Sequence, residues 1–169
     1  MPKENNVNRY DPVAQFLHWG LAFMVIASIV CIELYDTYPK DSYWHITLKT
    51  IHKQWGFILL FLTLIKLIWR LCNPAPPITP TPRPWELAAR KVGHFTIYAT
   101  LLSQGVLGMA MGNFFLTQNK ELAVMLKAIH ETLGNFLIVL IAIHLAATLW
   151  HQWVRRDDTL RRMLPWRTV

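Results

Sequence analysis

The chain has 169 residues, of which 53% are hydrophobic, and its mean hydropathy of +0.26 is too high for an ordinary soluble domain. Its formal net charge is +7, but the basic residues flank long apolar runs and form no separate basic domain. This pattern indicates contact with anionic lipid and argues against a nucleic-acid-binding protein.

Four apolar runs of about 20 residues or more are each long enough to cross a membrane as a helix. We therefore predict an all-α fold, an integral membrane four-helix bundle that occupies residues 1–169 as a single domain. The predicted spans are approximately 13–34, 51–72, 92–116 and 132–154. The first run is long and lacks an A-x-A-like cleavage site, so we expect no signal peptide.

The connections between spans differ in basic charge, and this difference sets the predicted orientation through the positive-inside rule. One face carries most of the basic residues: Lys3, Arg9, Arg70, Arg83, Arg90, Lys91, Arg155, Arg156, Arg161, Arg162 and Arg167. The opposite face carries Lys40, Lys49, Lys120 and Lys127, with Lys53 near its boundary. Both termini lie on the more basic face and are therefore predicted to be cytoplasmic.

Histidines occur at matched depths along the four spans, and ionisable groups inside a membrane are usually functional. His18 lies near the inner start of the first span, and His52 lies near the outer start of the second. His94 begins the third span from the inner side. His130 and His144 lie on the fourth span, 14 residues apart, which places them about 21 Å apart and within about 40° of one helix face.

Depth predicts one pair of facing imidazoles toward each side of the membrane. His52 with His130 forms the outer pair and His18 with His144 the inner pair, and each pair suits the axial ligation of a haem iron. His94 is an alternative to His18 in the inner pair, and His45 is a weaker alternative to His52 in the outer pair. The sequence has no CxxCH attachment motif, so we predict two non-covalent b-type haems.

Other polar residues lie near the predicted inner haem. Lys66 has the depth of the inner pair and Arg70 follows one turn later, so both are candidate partners for haem propionates. His151 lies seven residues after His144, about 10 Å lower on nearly the same face, and Trp150 precedes it at the inner interface. We predict that His151 and Trp150 bind a quinone carbonyl or relay a proton.

Several short motifs carry a family resemblance: FLHW around His18, IHKQWG around His52, PAPPITPTPRP after the second span, GHFTIY around His94, IHETLGN around His130, IHLAA around His144 and RRDDTLRRMLP near the end. They resemble the bacterial cytochrome b561 family, small dihaem proteins of the inner membrane, over nearly the whole chain. The resemblance implies that His18, His52, His130 and His144 are the haem ligands. It also implies an oxidoreductase that oxidises superoxide at the periplasmic face and passes the electrons to ubiquinone.

These implied substrates add candidate sites at the outer face. Superoxide is a small anion, and Lys53 and Lys127 are the nearest candidate charges along the sequence to attract it. For the quinone, Glu33 with Trp55 is an outer alternative to the inner site at His151.

Two other functions fit the same spans and histidines. One is the cytochrome b subunit of a larger quinone-linked hydrogenase or dehydrogenase, which implies a redox partner subunit. The other, of a different class, is a small proton-coupled transporter that uses buried histidines as proton relays.

Overall fold

A computed structural model describes residues 9–77, 81–113 and 118–165, and within these ranges the chain is helical without strands. The long helices are α1 (Pro12–Tyr35), α2 (Tyr43–Cys72), α3 (Pro84–Gly112) and α4 (Lys120–Trp150). All four are long and apolar enough to cross a membrane. The predicted all-α, four-helix membrane bundle is therefore confirmed.

Helices α2 and α4 begin before the apolar spans predicted for them because polar residues cap their first turns. The Ser42 side chain accepts a hydrogen bond from the His45 backbone N–H at 3.2 Å, and the Asn119 side chain accepts one from Leu122 at 3.1 Å. Hydropathy detects only the part of a helix that matches hydrocarbon, whereas these helices continue into the more polar interface.

Helices α1 and α3 each start with a proline in the first turn, where the missing backbone N–H has no partner to lose. The Asp11 carboxylate caps α1 by accepting from the Ala14 N–H at 2.9 Å. In α3 the Glu86 carboxylate accepts from the Arg83 N–H at 2.7 Å. The predicted end of the third span, Leu116, lies outside the described residues.

Direct helix packing joins consecutive helices, namely α1 with α2, α2 with α3, and α3 with α4. At the contact of α2 with α3, a Cβ atom on Gly105 would lie 2.7 Å from the Leu60 Cβ, so only glycine permits this close approach. The buried apolar residues are Leu17, Leu21, Val25, Leu60 and Leu137. Most of the large apolar side chains lie on the outside, which suits a surface covered by lipid.

The first and last described residues meet at one end of the bundle, where the Arg9 side chain donates to the Leu164 carbonyl at 2.6 Å. This end is called here the terminal face, and the opposite end is the far face. Residues 156–165, called here the C-terminal strap, fold back onto the start of α1 after a π-helical turn (His151–Arg155). The Trp19 indole N–H donates to the Met163 carbonyl at 2.8 Å, and the Gln15 amide donates to the Arg162 carbonyl at 3.1 Å. The strap therefore closes the terminal face against α1.

Candidate functional site

Two histidines face each other toward the far face. His52 of α2 and His130 of α4 have ring centroids 6.2 Å apart and ring planes at 88°. The His52 Nδ1 lies 3.0 Å from both the carbonyl oxygen and the hydroxyl of Ser28 on α1. If this N–H donates to the carbonyl, Nε2 is left for a metal, which is how outer hydrogen bonds commonly orient metal-binding imidazoles.

His130, the second member of this far-face pair, is held in place by a hydrogen bond to its backbone carbonyl. The Gln104 amide of α3 donates to the His130 carbonyl at 2.9 Å. The Nδ1 atom of His130 is buried and has no hydrogen-bond partner among the described residues. Buried polar atoms normally have a partner, so this ring is better suited to a bound group than to an apolar interior.

Three histidines come together toward the terminal face. The rings of His18 on α1 and His144 on α4 have centroids 6.3 Å apart, at an interplanar angle of 52°. The His94 ring of α3 lies 5.5 Å from His144, and its Nδ1 donates to the Arg90 carbonyl at 2.8 Å. The structure thus brings both sequence-predicted candidates, His18 and His94, close to the same partner.

Spacing and helix order favour His18 over His94. Metal–imidazole bonds of about 2 Å, with each nitrogen about 1 Å from its ring centre, place two axial imidazoles about 6 Å apart. The 6.2 Å and 6.3 Å pairs match this spacing, whereas the 5.5 Å pair is shorter. In addition, α3 packs directly against α4, whereas α4 has at most slight direct packing against α1 or α2 among the described residues. The residues therefore fit two haems, and the ligand assignment stays a prediction.

The glycines near the histidines differ in what surrounds them. A Cβ atom on Gly56, one turn after His52, or on Gly20 would meet nothing within 4 Å, so a flat ring has room there. At Gly134, one turn after His130, a Cβ atom would lie 3.1 Å from the Gln104 amide nitrogen. Gly134 therefore makes room for the side chain that holds His130 in place.

The predicted propionate partners lie on the terminal half of α2. Lys66 is half-buried, and its charge is close enough to interact with both His18 and His94. Arg70 is exposed one turn nearer the surface and interacts with His94. Both lie beside the terminal-face histidines, in agreement with the depth inferred from spacing.

His151 forms a pair that sequence reasoning missed. Its Nδ1 lies 2.6 Å from the Asp157 Oδ2, and the two side chains are only 23% and 5% exposed. Burial raises the pKa of the Asp157 carboxyl, but hydrogen bonds from Thr159 and His151 outweigh burial and hold this pKa below its ordinary value. The Trp150 ring packs edge-on against His151 with centroids 5.2 Å apart.

Charges on the far face are arranged differently from the sequence expectation. Lys127 forms an exposed ion pair with Glu131, four residues later on α4, so its charge is largely neutralised. Lys53 is exposed and has no ion pair among the described residues. Lys49, one turn earlier on α2, lies over the Tyr35 ring with its Nζ 5.8 Å from the centroid.

Two of the remaining outer candidates, His45 and Trp55, have structural partners. His45 donates from Nδ1 to the Tyr35 carbonyl at 2.9 Å, and the two rings are tilted by 37° with centroids 4.4 Å apart. Trp55 packs against Phe23 of α1 with ring centroids 6.2 Å apart. Glu33 is exposed near the end of α1. No hydrogen bond, ion pair or ring contact among the described residues joins Glu33 to Trp55, the pair considered as an outer quinone site.

Comparison with known proteins places this arrangement in a family. The family profile described as prokaryotic cytochrome b561 matches residues 9–166. The chain is 30% identical to "Cytochrome b561 homolog 1" of Escherichia coli (strain K12), over 94% of this chain and 98% of that protein. It is 31% identical to "Probable superoxide oxidase CybB" of Yersinia pestis, over 93% of this chain and 96% of that protein. It is also 26% identical to "Cytochrome b561 homolog 2" of E. coli, over 95% of this chain and 93% of that protein.

The family profile covers all four helices and every histidine of the two pairs. Together with the four apolar helices, it accounts for a protein embedded in lipid. The chain therefore belongs to the prokaryotic cytochrome b561 family, and it is a multi-pass electron-transfer protein of the bacterial inner membrane that binds b-type haem.

Proposed function

We propose that this chain is a superoxide:ubiquinone oxidoreductase that holds two b-type haems, one between His52 and His130 and one between His18 and His144. The observation that carries the proposal is the presence of facing imidazoles at two depths, each pair at a spacing that suits one iron. The Yersinia relative named a probable superoxide oxidase supports the choice of substrate.

We also propose that the terminal face is cytoplasmic and the far face periplasmic. The positive-inside rule supports this orientation, because the terminal face carries most of the arginine side chains. Superoxide is charged and small, so we expect it to be collected at the far face, on the periplasmic side. Ubiquinone is apolar and reaches either interface from within the bilayer.

The overall reaction balances over two turnovers at the far face. Two superoxide anions lose two electrons and leave as dioxygen, and one ubiquinone takes up the two electrons and two protons. Haem b, when bound, supplies a reversible one-electron carrier at each histidine pair. The chain sets the spacing of these pairs, since 14 residues of α4 separate His130 from His144 by about 21 Å. That distance covers most of a hydrocarbon core about 30 Å thick.

In this proposal, two lysines of α2 attract the superoxide anion to the far face. Lys49 and Lys53 lie one turn apart on α2, one before and one directly after His52, and both are exposed. Lys127 contributes less because Glu131 neutralises it. Ser28 fixes the tautomer and the ring orientation of His52, so the imidazole presents one defined nitrogen.

The terminal face supplies polar groups for the haem substituents and the quinone. Lys66 and Arg70 are placed to pair with propionates, because they lie beside the terminal-face histidines. His151 and Trp150 offer a hydrogen-bonding group next to an aromatic surface at the interface, which suits a quinone head group.

Superoxide-driven ubiquinol formation by the purified protein tests the function. We expect ubiquinol to accumulate when an enzymatic superoxide source is added, at one ubiquinol for every two superoxide anions, and to stop when superoxide dismutase is added. Ubiquinol formation that is absent with superoxide but appears with a hydrogenase or dehydrogenase partner would instead assign the chain as a subunit of such a complex.

A further inference from the structure

The C-terminal strap holds a carboxylate against a histidine at the terminal end of α4. His151 is the first residue of the π-helical turn, and Arg156 ends this turn in the left-handed region, with φ of 52°. The chain reverses there, so the Asp157 N–H donates to the His151 carbonyl at 3.2 Å and its carboxylate meets the His151 ring at 2.6 Å. Single π-helical turns occur frequently at functional sites.

The Asp157 carboxylate is fixed on both oxygens. Oδ2 accepts from His151, and Oδ1 accepts from the Thr159 N–H at 3.0 Å. The strap that carries this carboxylate is itself tied to Gln15 and Trp19 of α1. The carboxylate is therefore held in one orientation, which a merely solvated aspartate would not need.

This contact determines which nitrogen of His151 can react. With Nδ1–H donating to the carboxylate, Nε2 is the remaining ring nitrogen, and it has no hydrogen-bond partner among the described residues. A carboxylate in this position orients the imidazole and fixes its tautomer, as in the histidine–aspartate pairs of hydrolases. The ring keeps 23% exposure, which gives it access to the interface and to water.

We propose that Asp157 is a positioning residue that makes His151 the proton donor and acceptor for a quinone at the terminal face. The inference rests on the quinone site placed at His151 under the proposed function. When quinone takes up two electrons, His151 Nε2–H transfers a proton to a carbonyl oxygen, and cytoplasmic water restores the proton to the ring. The same transfer repeats for the second oxygen, so two protons accompany the two electrons that superoxide supplies.

Other charged groups surround the dyad formed by His151 and Asp157, and most of them pair with one another. On the α3 side, buried Glu86 forms an ion pair with Arg155 at 3.2 Å. From the strap, Asp158 lies 4.0 Å from Arg161.

A cavity of about 360 Å³ borders Asp157, and its other lining residues are Gln152, Trp153, Arg156 and Arg161. Arg162 of the strap is buried and its charge interacts with Asp157.

The test uses quinol as the electron donor, so that it does not depend on superoxide. Haem-loaded wild-type protein and the variants Asp157→Asn, His151→Gln and the double variant are mixed with a short-chain ubiquinol, and the haem absorbance is followed by stopped flow. We expect Asp157→Asn to lower the limiting rate about tenfold. We also expect the solvent deuterium isotope effect on this rate to increase, because a misoriented imidazole makes proton transfer the slower step.

Asp158→Asn is the matched control, because Asp158 is the neighbouring carboxylate and is exposed. It should leave both the rate and its solvent isotope effect unchanged. In the His151→Gln background, Asp157→Asn should have no further effect, because its action passes through the histidine. Haem content should stay at the wild-type level in all variants.

Three results would overturn the inference. They are an unchanged solvent isotope effect in Asp157→Asn, an equal loss of rate from Asp157→Asn with and without His151, and a wild-type protein that does not accept electrons from quinol. A different result would overturn the proposed superoxide oxidation and leave this inference intact. If superoxide produces no haem absorbance change while quinol does and the dyad variants behave as expected, the electron donor is wrong and the dyad stands.

Discussion

Lys53→Gln is expected to slow the reaction with superoxide at low ionic strength. The Lys53 side chain is exposed next to His52 and has no ion pair among the residues that the structure describes. For a superoxide anion about 10 Å from the Lys53 ammonium, the attraction between the two charges is about 0.4 kcal/mol in water. At an effective dielectric constant of about 20, it is about 1.7 kcal/mol. The second-order rate constant should therefore fall by between about twofold and about fifteenfold.

Stopped-flow mixing with superoxide measures this rate constant through the haem absorbance. At about 10 mM salt the Debye length is about 30 Å, and at about 150 mM it is about 8 Å, so the loss should shrink at the higher salt concentration. Lys127→Gln should also slow the reaction, because it leaves the negative charge of Glu131 unpaired, and this charge repels superoxide. The double variant Lys127→Gln/Glu131→Gln should react at the wild-type rate. A Lys53→Gln loss that is equal at both salt concentrations, or absent at the lower one, would refute electrostatic guidance by this residue.

Two further predictions concern stability. Gly105→Ala should lower the melting temperature, because its Cβ would lie 2.7 Å from the Leu60 Cβ, where carbon atoms prefer about 3.5–4.0 Å, and such overpacking costs about 1–3 kcal/mol. Gly93→Ala, where a Cβ would meet nothing within 4 Å, should not destabilise, and an equal effect at both positions would contradict the close packing of α2 and α3. Asp157→Asn should lower the melting temperature at pH 7, and its difference from the wild type should shrink as the pH falls below 3.8. The pKa of Asp157 is held by its hydrogen bonds below the ordinary 3.8, so its stabilising effect is present above that pH and is lost as the pH falls through the lower folded value. A difference from the wild type that stays constant from pH 7 to pH 3 would show that this carboxylate contributes nothing through its charge.

The bundle and the histidine pairs were predictable because both depend on regular helix geometry. Hydropathy locates the spans, and a rise of about 1.5 Å per residue gives the depth of each histidine. The structure places His52 beside His130 and His18 beside His144, as depth indicated, although it also places His94 beside His144. The choice between His18 and His94 needs the helix order across the bundle, which spacing along the chain does not contain.

The contacts made by the connections were not predictable in the same way. Asp157 reaches His151 only because a π-helical turn and a left-handed arginine reverse the chain, and no glycine marks that reversal. The hydrogen bond from His52 to Ser28 depends on the rotation of α1 against α2. One missed contact did have a signal, since Lys127 and Glu131 have the four-residue spacing of a helical ion pair.

The haem content of the histidine variants tests the central claim most directly. A pyridine haemochrome assay should give two haems for each wild-type chain, one for His130→Ala, one for His144→Ala and two for His94→Ala, because each alanine at a ligand position removes one of the two axial imidazoles. One haem for each wild-type chain would contradict the assignment of two histidine pairs. Loss of a haem from His94→Ala, with both retained in His18→Ala, would contradict the inner pair.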